Sequence, residues 1–243
     1  MQNPIALTRA AEAPAPGALE AVAGRGALIF GACGAAGEAL LNQILSGDQY
    51  ARVTAVTRLP LPSTTRKLQA HLQADGLRTF TLPAADDAYL VIGEHNSFYR
   101  RDEAFRALSF DELHAAAQAA RAAGIARLAV VAPVAIYSHS SAFRKSLMNS
   151  AEYELHALGF ETLALVRPAA PEKFERHANW GKRVAAFVLR QLHGLMPETY
   201  HPPTSQMIAR AATQAMHAVR PGVTIVDADA VREPMLAQAR PAG

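Results

Sequence analysis

The feature that most constrains this chain is a strand that turns directly into a helix through three evenly spaced glycines. Residues 27–30 are apolar, and Gly31, Gly34 and Gly37 follow at three-residue intervals. The pattern that begins there places four large apolar residues on one helical face, as expected for a helix packed against a sheet: Leu40, Leu41, Ile44 and Leu45. The sequence therefore predicts the opening strand and helix of an α/β domain.

The same turn is suited to an anion. A helix that starts directly after a strand leaves its first N–H groups without intrahelical acceptors, and the helix dipole favours negative charge there. The first glycine permits the sharp turn, the second removes a side chain where a pyrophosphate would approach, and the third allows close helix packing. A turn that binds nothing could have the same spacing, but the strand before it and the helix after it favour a dinucleotide site. The predicted contacts are Gly31, Cys33, Gly34, Ala35, Ala36 and Gly37.

The end of the second strand bears on which dinucleotide is bound. Residues 52–58 are rich in β-branched side chains and end in Thr57 and Arg58, with Arg66 and Lys67 close behind. An acidic residue at this place would accept the ribose hydroxyls of NAD, whereas an arginine suits the 2′-phosphate of NADP. The sequence thus favours NADP over NAD, with Thr57 and Arg58 as contacts. The alternative is that Arg58 is a solvated charge at a strand end.

Strand and helix patterns alternate along the rest of the chain. Further strands are predicted at 79–82, 88–93, 127–132, 161–168 and 222–226, and helices at 68–77, 102–124, 141–158, 180–195, 204–219 and 231–239. Such alternation indicates a Rossmann-like, doubly wound and mainly parallel sheet with helices on both faces. These sheets bind ligands at the carboxyl ends of their strands. Five further residues are therefore predicted near the nicotinamide end of the site: Ile92, Gly93, Ala132, Arg167 and Pro168.

Bulk properties limit the class of protein. With 243 residues, half of them hydrophobic, the chain is long enough for a single domain at 26–243, with 169–243 as an extension on the substrate side. Residues 1–25 are predicted to be a flexible leader rich in Ala and Pro. A single cysteine, no signal segment and no long apolar run favour the cytoplasm. The net charge of +3 is spread along the chain, which argues against nucleic acid, so the expected partners are a dinucleotide and an unidentified small-molecule substrate.

In this order the motifs resemble those of the atypical short-chain dehydrogenase/reductases, in particular the Tat-interacting-protein-like oxidoreductases. The resemblance runs from about residue 26 to residue 235. It rests on the glycine turn, on Thr57 and Arg58, and on residues 87–93, 123–128, 154–155, 158–160 and 166–168, together with Phe105, Phe110, Asp111 and Glu152. The resemblance implies a Rossmann-like domain that binds NADP(H) and, where active, moves hydride to or from a carbonyl.

The catalytic set that the resemblance implies is missing from this sequence. Members of the family use a serine after the fifth strand, a tyrosine, and a lysine one helical turn after the tyrosine. The serine position holds Ala132, the lysine position Met148, and the tyrosine position Arg144, or Phe143 if the register slips by one residue. Tyr137 and Lys145 lie nearby in sequence, but proximity in sequence does not establish catalytic geometry.

The remaining chemistry-bearing residues give weaker signals. The nine histidines are scattered without metal-ligand spacing, so no metal site is predicted. Cys33 stands where a helix dipole favours the thiolate, so a redox-sensing role competes with simple packing. Three functions stay open: an NADP(H)-dependent oxidoreductase, a non-catalytic regulator or scaffold that binds the cofactor or nothing, and an isomerase or epimerase with a base from the C-terminal region.

Overall fold

A single parallel sheet organises the part of the chain that the structure describes. The structure is a computed structural model, and it describes residues 24–61, 66–73, 80–93, 102–133, 150–168, 203–217, 221–228 and 230–231. The strands are β1 (Gly26–Phe30), β2 (Arg52–Thr57), β3 (Leu68–Leu72), β4 (Asp87–Val91), β5 (Arg127–Val131), β6 (Thr162–Val166) and β7 (Gly222–Val226). They lie in the order β3-β2-β1-β4-β5-β6-β7, and every neighbouring pair is parallel. The predicted Rossmann-like fold class is thereby confirmed.

Helices cover both faces of this sheet. They are α1 (Gly34–Ser46), α2 (Phe110–Ala122), α3 (Ser150–Ala157) and α4 (Ser205–His217). One apolar layer joins α1 and α4 to alternate residues of the strands, and a second joins α2 and α3 to the residues between them. Because side chains alternate across a strand, strands buried on both faces become almost continuously apolar, as the sequence of β1 is. Within the described ranges, no helix has both the length and the apolarity that a membrane crossing needs.

The third strand lies where the sequence pattern predicts a helix. Residues 68–72 pair with β2 as the sheet's edge strand, so the helix predicted at 68–77 is wrong over those residues. Leu68 and Leu72 are four residues apart, and that spacing puts two side chains on one face of a helix and of a strand alike. The strand predicted at 79–82 is also wrong for residues 80–82, which form no strand; Phe80 and Leu82 are nevertheless buried in the core.

The helix predicted at 102–124 is shorter than expected. A short 3-10 turn covers Asp102–Ala104, an extended stretch follows, and α2 starts only after Ser109. Ser109 forms a capping box with Glu112, which fixes the start of the helix. Gly124, the predicted stop, has a φ of +82° and lies just beyond the helix, as a C-terminal glycine does.

The C-terminal region contributes directly to the sheet layers. Within the predicted extension, α4 packs against α1 and β7 extends the sheet beyond β6. The helix predicted at 180–195, residues 141–149 of the helix predicted at 141–158, and the leader up to residue 23 lie outside the described residues. So does nearly all of the final helix predicted at 231–239.

A buried carboxylate holds the amino edge of the sheet together. Asp87 has no exposed surface, and its two oxygens accept bonds from the guanidinium groups of Arg25 (both 2.8 Å) and Arg127 (both 2.7 Å). The hydroxyl of Tyr50 donates a further bond to it at 2.6 Å. Because that proton is committed to Asp87, the hydroxyl of Tyr89 must be the donor in the 2.7 Å bond between the two tyrosines. Burial raises the pKa of both hydroxyls, so each keeps its proton.

A lysine closes the far end of α1. Lys67 Nζ donates to the carbonyl oxygens of Leu45 at 2.9 Å and Gly47 at 2.5 Å. A cation at this end complements the helix dipole and satisfies carbonyls that lack intrahelical donors. Lys67 directly precedes β3 and so lies at the amino edge of the sheet. It is not part of a basic cluster with Arg58, although the sequence places the two close together.

Candidate functional site

The carboxyl edge of the sheet contains the point where the strand order reverses. From β1 the chain continues to β2 and β3 on one side, then returns to place β4 on the other side of β1. In open α/β sheets, the crevice at this reversal, outside the carboxyl ends of the strands, is where ligands bind. The turn after β1 and the residues after β4 form the two sides of this crevice.

The turn after β1 depends on a residue without a side chain at position 31. Gly31 has a φ of +84°, in the left-handed region that other residues rarely adopt. A Cβ atom at this position would overlap the carbonyl oxygen of Val91 in β4. Gly31 therefore allows β1 to end against its neighbour while the chain turns into α1, as the sequence predicts.

Gly37 sets how closely α1 approaches the turn. A Cβ atom there would overlap the carbonyl oxygen of Gly31 and lie 2.8 Å from the carbonyl carbon of Ala32. Neither neighbour is a flexible side-chain end; both are backbone. The close approach of helix and strand predicted from the glycine spacing is therefore present.

The start of α1 carries very little side-chain bulk. Its first three residues are Gly34, Ala35 and Ala36; Ala35 is exposed and the other two are half-buried. The first turn contains no acidic residue. The first N–H groups of a helix point away from its body along the axis. The residues of this first turn therefore bring neither a long side chain nor a negative charge to a diphosphate at these groups.

Cys33 occupies the N-cap position of α1 and is 1% exposed. Its side chain makes no capping hydrogen bond; it belongs instead to the apolar layer between the sheet and the α1–α4 face. Burial of this kind favours the packing interpretation over redox sensing, since a redox-sensing thiol has to be reachable.

Arg58 lies just beyond β2, next to the turn. Its main-chain N–H donates to the carbonyl oxygen of Ala104 at 2.9 Å, and its Nε donates to the carbonyl oxygen of Glu103 at 2.6 Å. Thr57 before it is fully buried, and its hydroxyl points at the carbonyl oxygen of His71, 3.5 Å away. Arg58 thus reaches the edge of the site, while Thr57 lies beneath it.

The residues after β4 face the turn from the other side. A Cβ atom on Gly93 would lie 3.7 Å from the carbonyl oxygen of Cys33, so this glycine is next to the mouth of α1. Ile92 before it is 8% exposed, and its N–H donates to Val131 at 2.9 Å. The structure thus places both predicted residues in the crevice wall, where Gly93 presents backbone and Ile92 is largely covered.

Three other predicted residues lie farther along the same edge. Ala132 follows β5 and is half-buried, and Pro168, which follows β6, is buried. Arg167 is 3% exposed and makes a two-point ion pair with Glu152 of α3, at 2.8 and 2.6 Å. These contacts give Arg167 a structural role between β6 and α3.

The predicted contacts together follow an extended line. Arg58 follows β2 and Pro168 follows β6, four strand positions away in the sheet order. At about 4.8 Å between strands, this line is roughly 19 Å long, which suits an elongated ligand.

The residues aligned with the catalytic tyrosine and lysine of the family, and the nearby Tyr137 and Lys145, lie outside the described residues. Among the residues that are described, no group of three His, Cys, Asp or Glu side chains could hold a metal ion.

Sequence reasoning missed a segment that contacts two strands where they end at this site. Residues 103–108, here named the crossing segment, contact the ends of both β2 and β4. Its Arg106 is 2% exposed, a rare environment for arginine that single-sequence patterns do not reveal. The signal available was weak: one arginine between Phe105 and Leu108 in a stretch that could equally be helical.

Comparison with known proteins gives distant likenesses of fold. No family model and no curated protein matches the chain. Among solved structures, MoeE5 in complex with UDP-glucose and NAD is 15% identical with a TM-score of 0.49, over 88% of this chain and 81% of that one. The Bordetella bronchiseptica enzyme WbmH in complex with NAD+ is 14% identical with a TM-score of 0.49, over 89% and 83%.

A third solved structure is a short chain dehydrogenase family protein from Francisella tularensis. It is 11% identical with a TM-score of 0.45, over 86% of this chain and 99% of that one. A likeness at this level does not transfer the ligands of those proteins to this chain.

Proposed function

We propose that this chain is an NADP(H)-binding protein of the atypical short-chain dehydrogenase/reductase type. The observation that carries the proposal is the start of α1: a helix whose first three residues bear at most a methyl group, located at the reversal point of a parallel sheet. Backbone N–H groups and the helix dipole together favour a diphosphate at such a place.

The residues present fit a dinucleotide. Gly34, Ala35 and Ala36 would face the diphosphate, and Gly93 would allow a ligand to pass close to the backbone after β4. Arg58, held by the carbonyl oxygen of Glu103 at 2.6 Å, would meet the 2′-phosphate that distinguishes NADP from NAD. Arginine suits this role because its planar guanidinium binds phosphate through two parallel hydrogen bonds.

The proposal does not require that the chain catalyses a reaction. A bound nicotinamide would supply hydride-transfer chemistry, and a carbonyl substrate would also need a proton donor. At the end of β5, where the resemblance implies a serine, Ala132 offers only a methyl group. This observation favours a second candidate, a non-catalytic protein that uses NADP(H) as a structural or redox-state ligand.

Cofactor binding is tested by titration with NADPH and with NADH, followed by fluorescence. We expect the wild-type protein to prefer NADPH, and Arg58→Ala to weaken NADPH about tenfold or more while NADH changes little, since charge-assisted hydrogen bonds to phosphate would be lost. Arg52→Ala is the matched control: it removes the same charge from the first residue of β2, roughly 20 Å away at the amino edge. Equal weakening of both cofactors by Arg58→Ala would contradict the assignment of Arg58, and no binding by the wild type would contradict the proposal itself.

Turnover separates the two candidates. Oxidation of NADPH in the presence of a panel of aldehydes and ketones would support the enzyme, and loss of that activity in Tyr137→Phe would identify its proton donor. Tight NADPH binding without turnover of any panel member would support the non-catalytic protein.

A further inference from the structure

The crossing segment connects the specificity residue to the body of the protein. The carbonyl oxygen of Ala104 accepts bonds from the N–H groups of Arg58 at 2.9 Å and Leu59 at 3.3 Å. The carbonyl oxygen of Glu103 accepts the bond from Arg58 Nε at 2.6 Å. Arg58 is therefore held by this segment through both its backbone and its guanidinium.

The same segment is also tied to the opposite side of the crevice. Leu108 forms a parallel bridge with Ile92, and the carbonyl oxygen of Leu108 accepts a bond from Gly93 N at 3.3 Å. Nearer to β2, the N–H of Arg106 donates to the carbonyl oxygen of Val56 at 3.2 Å. The crossing segment thus bonds Arg58 near one of its ends and Gly93 at the other, so it connects the two sides of the crevice.

Arg106 anchors the segment against Phe30, just before the glycine turn. Its guanidinium carbon lies 5.3 Å from the ring centre of Phe30 and 4.9 Å from that of Phe80. Its Nη2 donates to Glu112 Oε1 of α2 at 2.8 Å. Phe30 is the last residue of β1 and directly precedes Gly31. The anchor therefore joins the segment to the strand that ends at the turn and to the start of α2.

The orientation of an arginine decides how well it recognises phosphate. The guanidinium is a rigid plane, so a bond at Nε fixes the direction in which its remaining N–H groups point. A side chain held in its bound orientation beforehand loses less conformational freedom when the ligand arrives. Among the contacts of the described residues, those to the carbonyl oxygens of Glu103 and Ala104 hold Arg58 in this way.

We propose that the crossing segment, anchored by Arg106 on Phe30 and Phe80 and by its ion pair with Glu112, sets the cofactor preference of this protein by holding Arg58 in position. Arg106 is accordingly a positioning residue that does not touch the cofactor. The inference rests on the proposed function, because it concerns the preference of the dinucleotide site.

The test measures the ratio of the Kd values for NADH and NADPH. In Arg106→Met, which keeps most of the side-chain length, we expect the preference for NADPH to fall at least fivefold while the Kd for NADH stays within about twofold. The control is Leu163→Ala, which removes core packing from the same side of the sheet in β6, two strand positions from β4. It should destabilise the protein and leave the ratio unchanged.

A second variant separates positioning from simple charge. Glu112→Ala removes the acceptor of the Arg106 ion pair together with one negative charge; it also removes the capping box with Ser109, an effect that Ser109→Ala measures alone. If Arg106 acted only through long-range attraction, losing that negative charge would raise the preference for NADPH, whereas positioning lowers it. The same variant decides the matter if Arg106→Met fails to fold.

The outcomes are distinct from those of the proposed function. Wild-type protein that binds neither cofactor, or shows no preference for NADPH, would overturn the proposed function or its NADP assignment, and this inference with it. A wild type that prefers NADPH, with Glu112→Ala or folded Arg106→Met keeping that preference or weakening both cofactors equally, would overturn this inference alone.

Discussion

The close approach of α1 to β1 can be tested by adding a single methyl group at Gly37. In Gly37→Ala the new Cβ would overlap the carbonyl oxygen of Gly31 and lie 2.8 and 3.0 Å from the carbonyl carbon and Cα of Ala32. Ordinary contacts of this type are about 3.5 Å or longer. The helix therefore has to move away from the turn by several tenths of an ångström or more.

The expected cost follows from two opposing effects. Overpacking of a rigid site typically costs about 1–3 kcal/mol, while replacing a mid-helix glycine by alanine contributes about 0.5–1 kcal/mol of stability. The net expectation is a loss of about 1–2 kcal/mol, which for a chain of this size lowers Tm by roughly 2–8 °C. Displacement of the helix start should also weaken NADPH about tenfold, because hydrogen bonds to a charged group depend steeply on distance and angle.

Gly47→Ala is the matched control, because Gly47 follows the other end of the same helix. A Cβ atom there would lie 3.5 Å from the carbonyl oxygen of Gln43, an ordinary contact, so stability should be unchanged or slightly increased. The assays are chemical denaturation and NADPH titration of both variants. A Gly37→Ala protein that equals or exceeds the wild type in stability, with unaltered NADPH affinity, would refute the reasoning from close approach.

Three further expectations concern the regions away from the glycine turn. Asp87→Asn should lower the free energy of unfolding by about 1–3 kcal/mol because two guanidinium groups, of which that of Arg25 is 44% exposed, lose a charged acceptor; denaturation measures this, and a cost as small as that of the exposed Asp48→Asn would contradict it. Burial and the charge of Arg25 lower the pKa of His217, so the native state releases this proton and stability should fall as pH drops below about 6.5. His217→Phe should flatten that decline between pH 7 and pH 5, and an unchanged pH profile would show that another group is responsible. Ser109→Ala should cost about 0.5–2 kcal/mol through loss of the capping box of α2, and no change in the denaturation midpoint would exclude that role.

Most of the fold could be predicted because its signals are local. Apolar runs that end at or near glycines predict the first strand and helix, and they also predict β4, β5 and β7. The parallel arrangement follows from the alternation of strands and helices, since parallel strands need crossover connections. The errors fall at β3, at residues 80–82 and in the stretch before α2. At β3, Leu68 and Leu72 satisfy both periodicities, and no local signal could show that β2 would offer an edge for pairing.

The candidate site was predictable in part for the same reason. Gly31 and Gly37 perform the backbone tasks expected from their spacing, and Arg58 lies at the edge next to the turn. The burial of Thr57, the pairing of Arg167 with Glu152, and the role of Arg106 depend on contacts between segments distant in sequence. A single sequence carries no information about which distant segments meet, so these features had to come from the structure.

The ion pairs of Asp87 could not be predicted from the sequence for the same reason. The sequence presents Asp86 and Asp87 as polar residues before a strand, which is the ordinary pattern of a loop. In the structure, Asp87 pairs in register with Arg127 of the neighbouring strand, and Arg25 reaches it from the residue before β1. A carboxylate surrounded by two guanidinium groups and a hydroxyl is stable in the core only when all of these partners arrive together.

The most direct test of the central claim is to follow the backbone amide signals of α1 by NMR during titration with NADPH. If a diphosphate binds at the start of this helix, the amides of Gly34, Ala35 and Ala36 should show the largest shifts, and those at the far end of α1, around Ser46, should barely move. Saturable binding with the largest shifts elsewhere in the chain, or no shift at these three amides, would contradict the claim.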